Sequence, residues 1–106
     1  MNNKLETLLN ALKETKLTNL VVYDLEESSP FFDYVVIVTA QNKRMLNSVI
    51  SLLWEKNIEY DHIEGTGESG WILVDMNDII LNVMSEEMRE LYSLDNVYIK
   101  YKKITF

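Results

Sequence analysis

The chain has 106 residues, 47% hydrophobic and 25% charged, with a formal net charge of −7. This fits one globular domain and excludes disorder. Zero Cys excludes disulfide scaffolds, thiol redox chemistry and zinc ribbons, and a single His, His62, excludes multi-histidine metal sites. No apolar run approaches the roughly 18 residues of a membrane span, and the N-terminus shows no signal-peptide pattern. The expected setting is the cytoplasm.

Leu5, Leu8, Leu9 and Leu12 mark one face of a helix predicted over residues 3–16. Leu20–Tyr23 and Tyr34–Val38 are β-rich runs without alternation, the pattern of interior strands covered on both faces. The connection between them is too short for a helical crossover, so they should pair antiparallel. Asn42 is placed to cap a second helix, with Met45, Leu46, Val49, Ile50 and Leu53 as its buried stripe and Asn57 as its left-handed stop. Ile58–Glu64 should return as a strand, giving a right-handed parallel crossover. A glycine loop, Gly65 to Gly70, then leads into the strand Trp71–Met76, the turn Asn77-Asp78 and the return strand Ile79–Met84. Ser85 can cap a short helix with Glu86 and Glu87 at its positive end. Residues 97–106 alternate weakly and read as an edge strand or a tail. The predicted fold is a single α/β domain with a mixed five-stranded sheet and packed helices.

Charge is unevenly placed. Residues 1–56 carry a net −1, residues 57–99 carry ten acidic side chains against Arg89 alone, and Lys100, Lys102 and Lys103 add three positive charges. Phosphate binding needs Lys and Arg, so bare nucleic acid is a poor partner for the second half, and a basic protein surface is a better one. The lysines of the tail either contact a nucleic acid or offset local acidity.

Gly65-Thr66-Gly67-Glu68-Ser69-Gly70 matches G-x-G-x-x-G, but a strand rather than a helix follows it, and Glu64 and Glu68 would repel phosphate. A flexible strand–strand connection accounts for it better. Asp24, Asp33, Asp75 and Asp78 could converge on Mg²⁺ only if the fold gathers them, and no nucleophile pattern surrounds Ser28, Ser29 or Ser69. No cofactor or metal is implied.

The hairpin is more informative. An Asn77-Asp78 turn pairs Asp75 with Ile80, Leu73 with Asn82, and Trp71 with Met84. One side of the ribbon, Ile72, Val74, Met76, Ile79, Leu81 and Val83, is wholly apolar and must be core. The other mixes Trp71, Leu73 and Met84 with Asp75 and Asn82. Either a helix or the tail covers this mixed face, or it is a partner surface with Trp and Met as anchors.

These residues are similar to the ribosomal silencing factor (Iojap-related) family. The resemblance covers Leu5 to Val97. It rests on Asp24, the run Ser28-Ser29-Pro30-Phe31-Phe32-Asp33-Tyr34-Val35-Val36-Ile37, and Thr39-Ala40 with Lys43-Arg44. Further on it rests on Glu64-Gly65, Gly70–Asp75 and Asp78–Met84, closed by Arg89, Tyr92-Ser93-Leu94 and Asp95. Asn82, Asp95 and Val97 stand where the family usually has His, Glu and Trp. The resemblance implies a ribosomal silencing factor domain over residues 1–97, with residues 98–106 as a C-terminal strand or tail, and a fold related to nucleotidyltransferases without their catalytic pattern. It implies a non-catalytic factor that binds the large ribosomal subunit through a basic interface protein, the one numbered fourteen. Docked there, it blocks small-subunit joining and represses translation when nutrients are scarce. The expected partner-binding residues are Trp71, Leu73 and Met84, rimmed by Glu64, Asp75 and Asn82. A homodimer is expected as well. The alternative readings are a metal-dependent nucleotidyltransferase-like enzyme and a homodimeric structural module.

Overall fold

The computed structural model describes residues 3–104. Its elements are α1 (Asn3–Lys13), β1 (Thr18–Asp24), β2 (Tyr34–Ala40), α2 (Lys43–Glu55), β3 (His62–Thr66), β4 (Trp71–Asp75), β5 (Ile79–Ser85), α3 (Glu86–Tyr92), the single turn α4 (Leu94–Val97) and β6 (Lys102–Ile104). The strands form one mixed sheet in the order β3-β4-β5-β2-β1-β6. Six strands replace the expected five because the residues of β6 pair antiparallel with Val22–Asp24 of β1. Residues 105 and 106 of the expected tail lie outside the described residues.

β1 and β2 pair antiparallel, as their short connection requires. All of β2 is buried, in keeping with its unbroken apolar run. β1 departs from the expectation of cover on both faces: only Val22 and Tyr23 are fully buried. Its register shifts between Thr18 and Val21, where Asn19 takes a positive φ of 51°, and its outer neighbour is only three residues long.

α1 ends three residues before the predicted stop. The Thr15 hydroxyl donates to the Leu12 carbonyl and accepts from the Leu17 amide at 3.1 Å, a local competitor that closes the last turn. The caps of α2 fall where expected. The Asn42 side chain accepts from the Met45 amide at 2.9 Å, and Asn57 sits at φ 55°. After α2 the chain does not enter the sheet at Ile58; the strand starts at His62. β3 runs parallel to β2, since β2 and β5 are parallel and the β5–β4 and β4–β3 pairs are antiparallel. The crossover thus passes over two strand positions before it lands.

α1 and α2 lie on one face, where Leu5, Leu8, Leu9, Leu12, Leu46, Val49 and Leu53 pack against Val36, Val38, Ile72, Val74, Leu81 and Val83. Each fully buried aliphatic side chain here contributes about 1.5–3 kcal/mol of transfer free energy. The opposite face holds a smaller cluster, Tyr23, Leu25, Val35, Ile37 and Met84, with Met88 of α3, Leu94 of α4, Tyr98 and Tyr101 laid over it.

Candidate functional site

The β4–β5 hairpin has the register read from its turn: Trp71 opposite Met84, Leu73 opposite Asn82, Asp75 opposite Ile80. Asn77 supplies the reversal at φ 74°, and the Asp78 amide donates to the Met76 carbonyl at 3.0 Å. β3 extends the mixed face, since Glu64 lies opposite Leu73 and Thr66 opposite Trp71. The G-x-G-x-x-G stretch is the β3–β4 connection. Gly65, at φ 89°, passes so close to the next strand that a Cβ would stand 2.0 Å from the Trp71 carbonyl oxygen, which no side chain tolerates. The Ser69 hydroxyl ties the loop, lying within donating distance of the Thr66 and Trp71 carbonyls at 2.8 and 3.0 Å and sharing its one proton between them.

The six residues expected at this face separate into two layers. Trp71, Leu73 and Asp75 are half-buried and Glu64 is exposed, so these four reach the surface. Asn82 and Met84 do not: they are 2% and 0% exposed. This corrects their expected place as partner contacts. Asn82 Oδ1 accepts from the Trp71 indole N–H at 3.0 Å, and its Nδ2 donates to the Val36 carbonyl at 3.4 Å. A buried amide that satisfies a half-buried indole sets its orientation.

α3 covers Met84. The Ser85 side chain caps it by accepting from the Met88 amide at 3.1 Å, and Met88 and Tyr92, four residues apart, share the face turned to the sheet. Gly70, at φ 78°, permits this approach: a Cβ there would stand 2.8 Å from Met88 Cγ. Tyr92 packs on Trp71 with ring centroids 5.2 Å apart and remains 53% exposed. Glu64, Ser69, Trp71, Leu73 and Met88 line a shallow open hollow of about 260 Å³. The surface is therefore an aromatic pair beside a leucine, rimmed by Glu64 and Asp75. Tyr92 and Met88 belong to it although the hairpin alone does not point to them; the capping serine followed by an i, i+4 Met/Tyr pair was the available signal.

Arg89 fixes the position of α3. Its guanidinium makes a two-pronged contact with Asp95, at 3.0 and 3.1 Å, and donates to Thr39 Oγ1 at 2.9 Å and to the Asn19 carbonyl. The Tyr23 hydroxyl donates to Asp95 Oδ1 at 3.1 Å. Arg89 holds the Asp95 carboxyl below its ordinary range against the opposing effect of partial burial. Burial, reinforced by the hydrogen bond to Asp95, pushes the Tyr23 hydroxyl up to about 12.

Of the four aspartates weighed for a metal, two serve local turns and one pairs with a distant lysine. Asp24 accepts from the Glu26 amide at 3.0 Å, Asp75 accepts from the Asn77 amide at 2.9 Å, and Asp78 pairs with Lys4 at 3.3 Å. Among the described residues no three His, Asp or Glu side chains form a group able to hold a metal ion. Nor is any helix among them long and apolar enough to cross a membrane.

Fold and surface together define an α/β domain whose mixed sheet is covered by two helices on one face and carries a half-open aromatic patch on the other. The family model described as ribosomal silencing factor during starvation matches residues 1–105, and the chain belongs to that family. Among its relatives, the ribosomal silencing factor RsfS of Haemophilus influenzae is 28% identical over 97 residues, covering 88% of this chain and 95% of that protein. The RsfS of Bacillus subtilis is 24% identical over 104 residues, covering 92% and 88%. The mouse protein named mitochondrial assembly of ribosomal large subunit protein 1 is 23% identical over 101 residues, of which this chain spans 44%. A crystal structure from Chromobacterium violaceum superposes with a TM-score of 0.82 at 20% identity, covering 100% of this chain and 92% of that one, and shares its fold.

Proposed function

We propose that this protein is a non-catalytic factor that docks on the large ribosomal subunit and keeps the small subunit from joining it. The docking surface is the outer layer described above: Trp71, Leu73 and Tyr92 as the apolar contact, with Glu64 and Asp75 as its rim. The observation that carries the reading is a half-open tryptophan, oriented by Asn82 from beneath and flanked by Tyr92, at the solvent boundary of an acidic half-chain. An oriented aromatic anchor surrounded by polar rim residues is the arrangement in which few side chains carry most of a binding energy. The acidic rim suits a basic protein and repels the rRNA around it, so it supplies selectivity and encounter rate more than affinity.

The repression needs no chemistry. A rigid domain of this size seated at a subunit interface occupies space the second subunit requires. The test is subunit joining followed by light scattering. Added protein should lower the yield of joined ribosomes in proportion to occupancy, and the Trp71→Ala variant should lose most of this effect. Unimpaired joining at saturating wild-type protein would overturn the proposal.

A further inference from the structure

A second exposed tryptophan lies on the other side of the molecule. Trp54 is the penultimate residue of α2, the helix that packs on the sealed face, opposite the side carrying Trp71. It is 72% exposed. Its indole N–H is already satisfied, donating to the Tyr60 hydroxyl at 2.9 Å, so the need to wet that group does not explain the exposure. Trp54 and Tyr60 flank a hollow of about 430 Å³ whose lining also includes the buried Leu53 and Ile58 and the acidic Glu59 and Asp61.

Three features give this hollow a preference for positive charge. Glu59 and Asp61 line it and Glu55 adjoins Trp54 in the chain, all three exposed. The hollow sits at the C-terminal, negative end of the 13-residue helix α2. The aromatic faces of Trp and Tyr attract cations directly. The lysines of the neighbouring surface have partners: Lys56 pairs with Glu14 at 2.8 Å and Lys4 with Asp78 at 3.3 Å. The walls are held in place as well, since the Ile58 amide donates to the Leu53 carbonyl and the Asp61 amide to the Asp75 carbonyl, both at 2.8 Å. Phosphate-rich ligands are disfavoured by the same carboxylates.

We propose that the Trp54–Tyr60 hollow is a second docking site, independent of the Trp71 surface, that takes an arginine- or lysine-bearing segment of a protein partner. The cationic head lies against the indole and between Glu59 and Asp61, and its aliphatic stem lies along the exposed face of Trp54. Because the two tryptophans lie on opposite sides, both surfaces can be engaged at once.

The experiment is a two-dimensional ¹H–¹⁵N NMR titration of the full chain with a capped tetra-arginine peptide, with capped tetraglutamate as control. The indole resonances are assigned through Trp54→Phe. The Trp54 indole signal should move saturably with tetra-arginine and farther than the Trp71 signal, whose surface has an acidic rim but not the C-terminus of a 13-residue helix, and tetraglutamate should move neither. Trp54→Ala should weaken binding roughly fivefold, followed on backbone signals of residues 57–61. The Glu59→Gln/Asp61→Asn double variant, at exposed positions, should weaken it by a similar factor and flatten its salt dependence. A stationary Trp54 signal, equal movement of both indoles, or undiminished binding by the double variant would overturn the proposal.

Discussion

Ile72 and Val74 are fully buried, while Trp71 and Leu73, their neighbours on the same strand, remain half-open. Along the hairpin one face is wholly apolar and the other carries Asp75 and Asn82, and the helices laid on the two faces differ in length as well. α1 and α2 have 11 and 13 residues, whereas α3 and α4 have 7 and 4. At about 1.5 Å per residue the first pair runs about 16 and 20 Å, and α3 only about 10 Å. It covers Met84 and leans Tyr92 on Trp71, but leaves the β3–β4 end open. One face of the sheet therefore stabilises the fold, and the other has surface left for a partner.

Substitutions on the two faces should separate these roles. The largest effect on stability is expected at the sealed face: Leu81→Ala should cost about 2–5 kcal/mol in urea unfolding, because the fully buried site cannot collapse around the cavity. A cost below 1 kcal/mol would mean the sealed face is less tightly packed than described. At the open face, Trp71→Ala should cost about 2–4 kcal/mol in large-subunit affinity, measured by pull-down, with a smaller effect on unfolding. If its unfolding cost matched that of Leu81→Ala, the distinction between the faces would fail.

A smaller effect is expected at the clamp that holds α3. Asp95→Asn should lower stability at neutral pH by about 1–2 kcal/mol, a range reduced because the carboxylate is partly open to solvent. The sign of the pH dependence follows from the lowered Asp95 value. Its contribution is present above the ordinary 3.8 and is lost as pH falls through the folded-state value. Thermal melts of wild type and variant should therefore converge in strong acid. Curves that stay equally separated at all pH values would show that the ion pair is not the source. Tyr23 gives the opposite limb: raised to about 12, it favours the folded state below 10 and ceases to do so as pH rises through 12. The smallest effect belongs to the rim. Glu64→Lys should slow association a few-fold and change its salt dependence while barely altering dissociation, as read in stopped-flow mixing. Unchanged association kinetics would remove Glu64 from the rim.

The hairpin register was legible because the Asn77-Asp78 turn sets the pairing and strict alternation then places every side chain on a face. The buried set Ile72, Val74, Met76, Ile79, Leu81 and Val83 followed from that alone, and all six are fully buried. The places of Asn82 and Met84 were not legible. Whether α3 folds back over them depends on contacts distant in the chain, the Arg89 bonds to Thr39 and Asn19, which no local pattern reveals. β3 starts late because Glu59 to Asp61 bridge from α2 to the sheet, and the sixth strand arises from a three-residue pairing too short to announce itself by alternation. The outer layer, Trp71, Leu73, Glu64 and Asp75, could be read from residue type and spacing. Its depth required the fold.

Co-sedimentation through sucrose gradients with separated ribosomal subunits decides whether the half-open face docks on the large subunit. Wild-type protein should travel with the large subunit and not the small, and folded Trp71→Ala should stay at the top of the gradient. Wild-type protein left at the top, or Trp71→Ala carried down as fully as wild type, would contradict it.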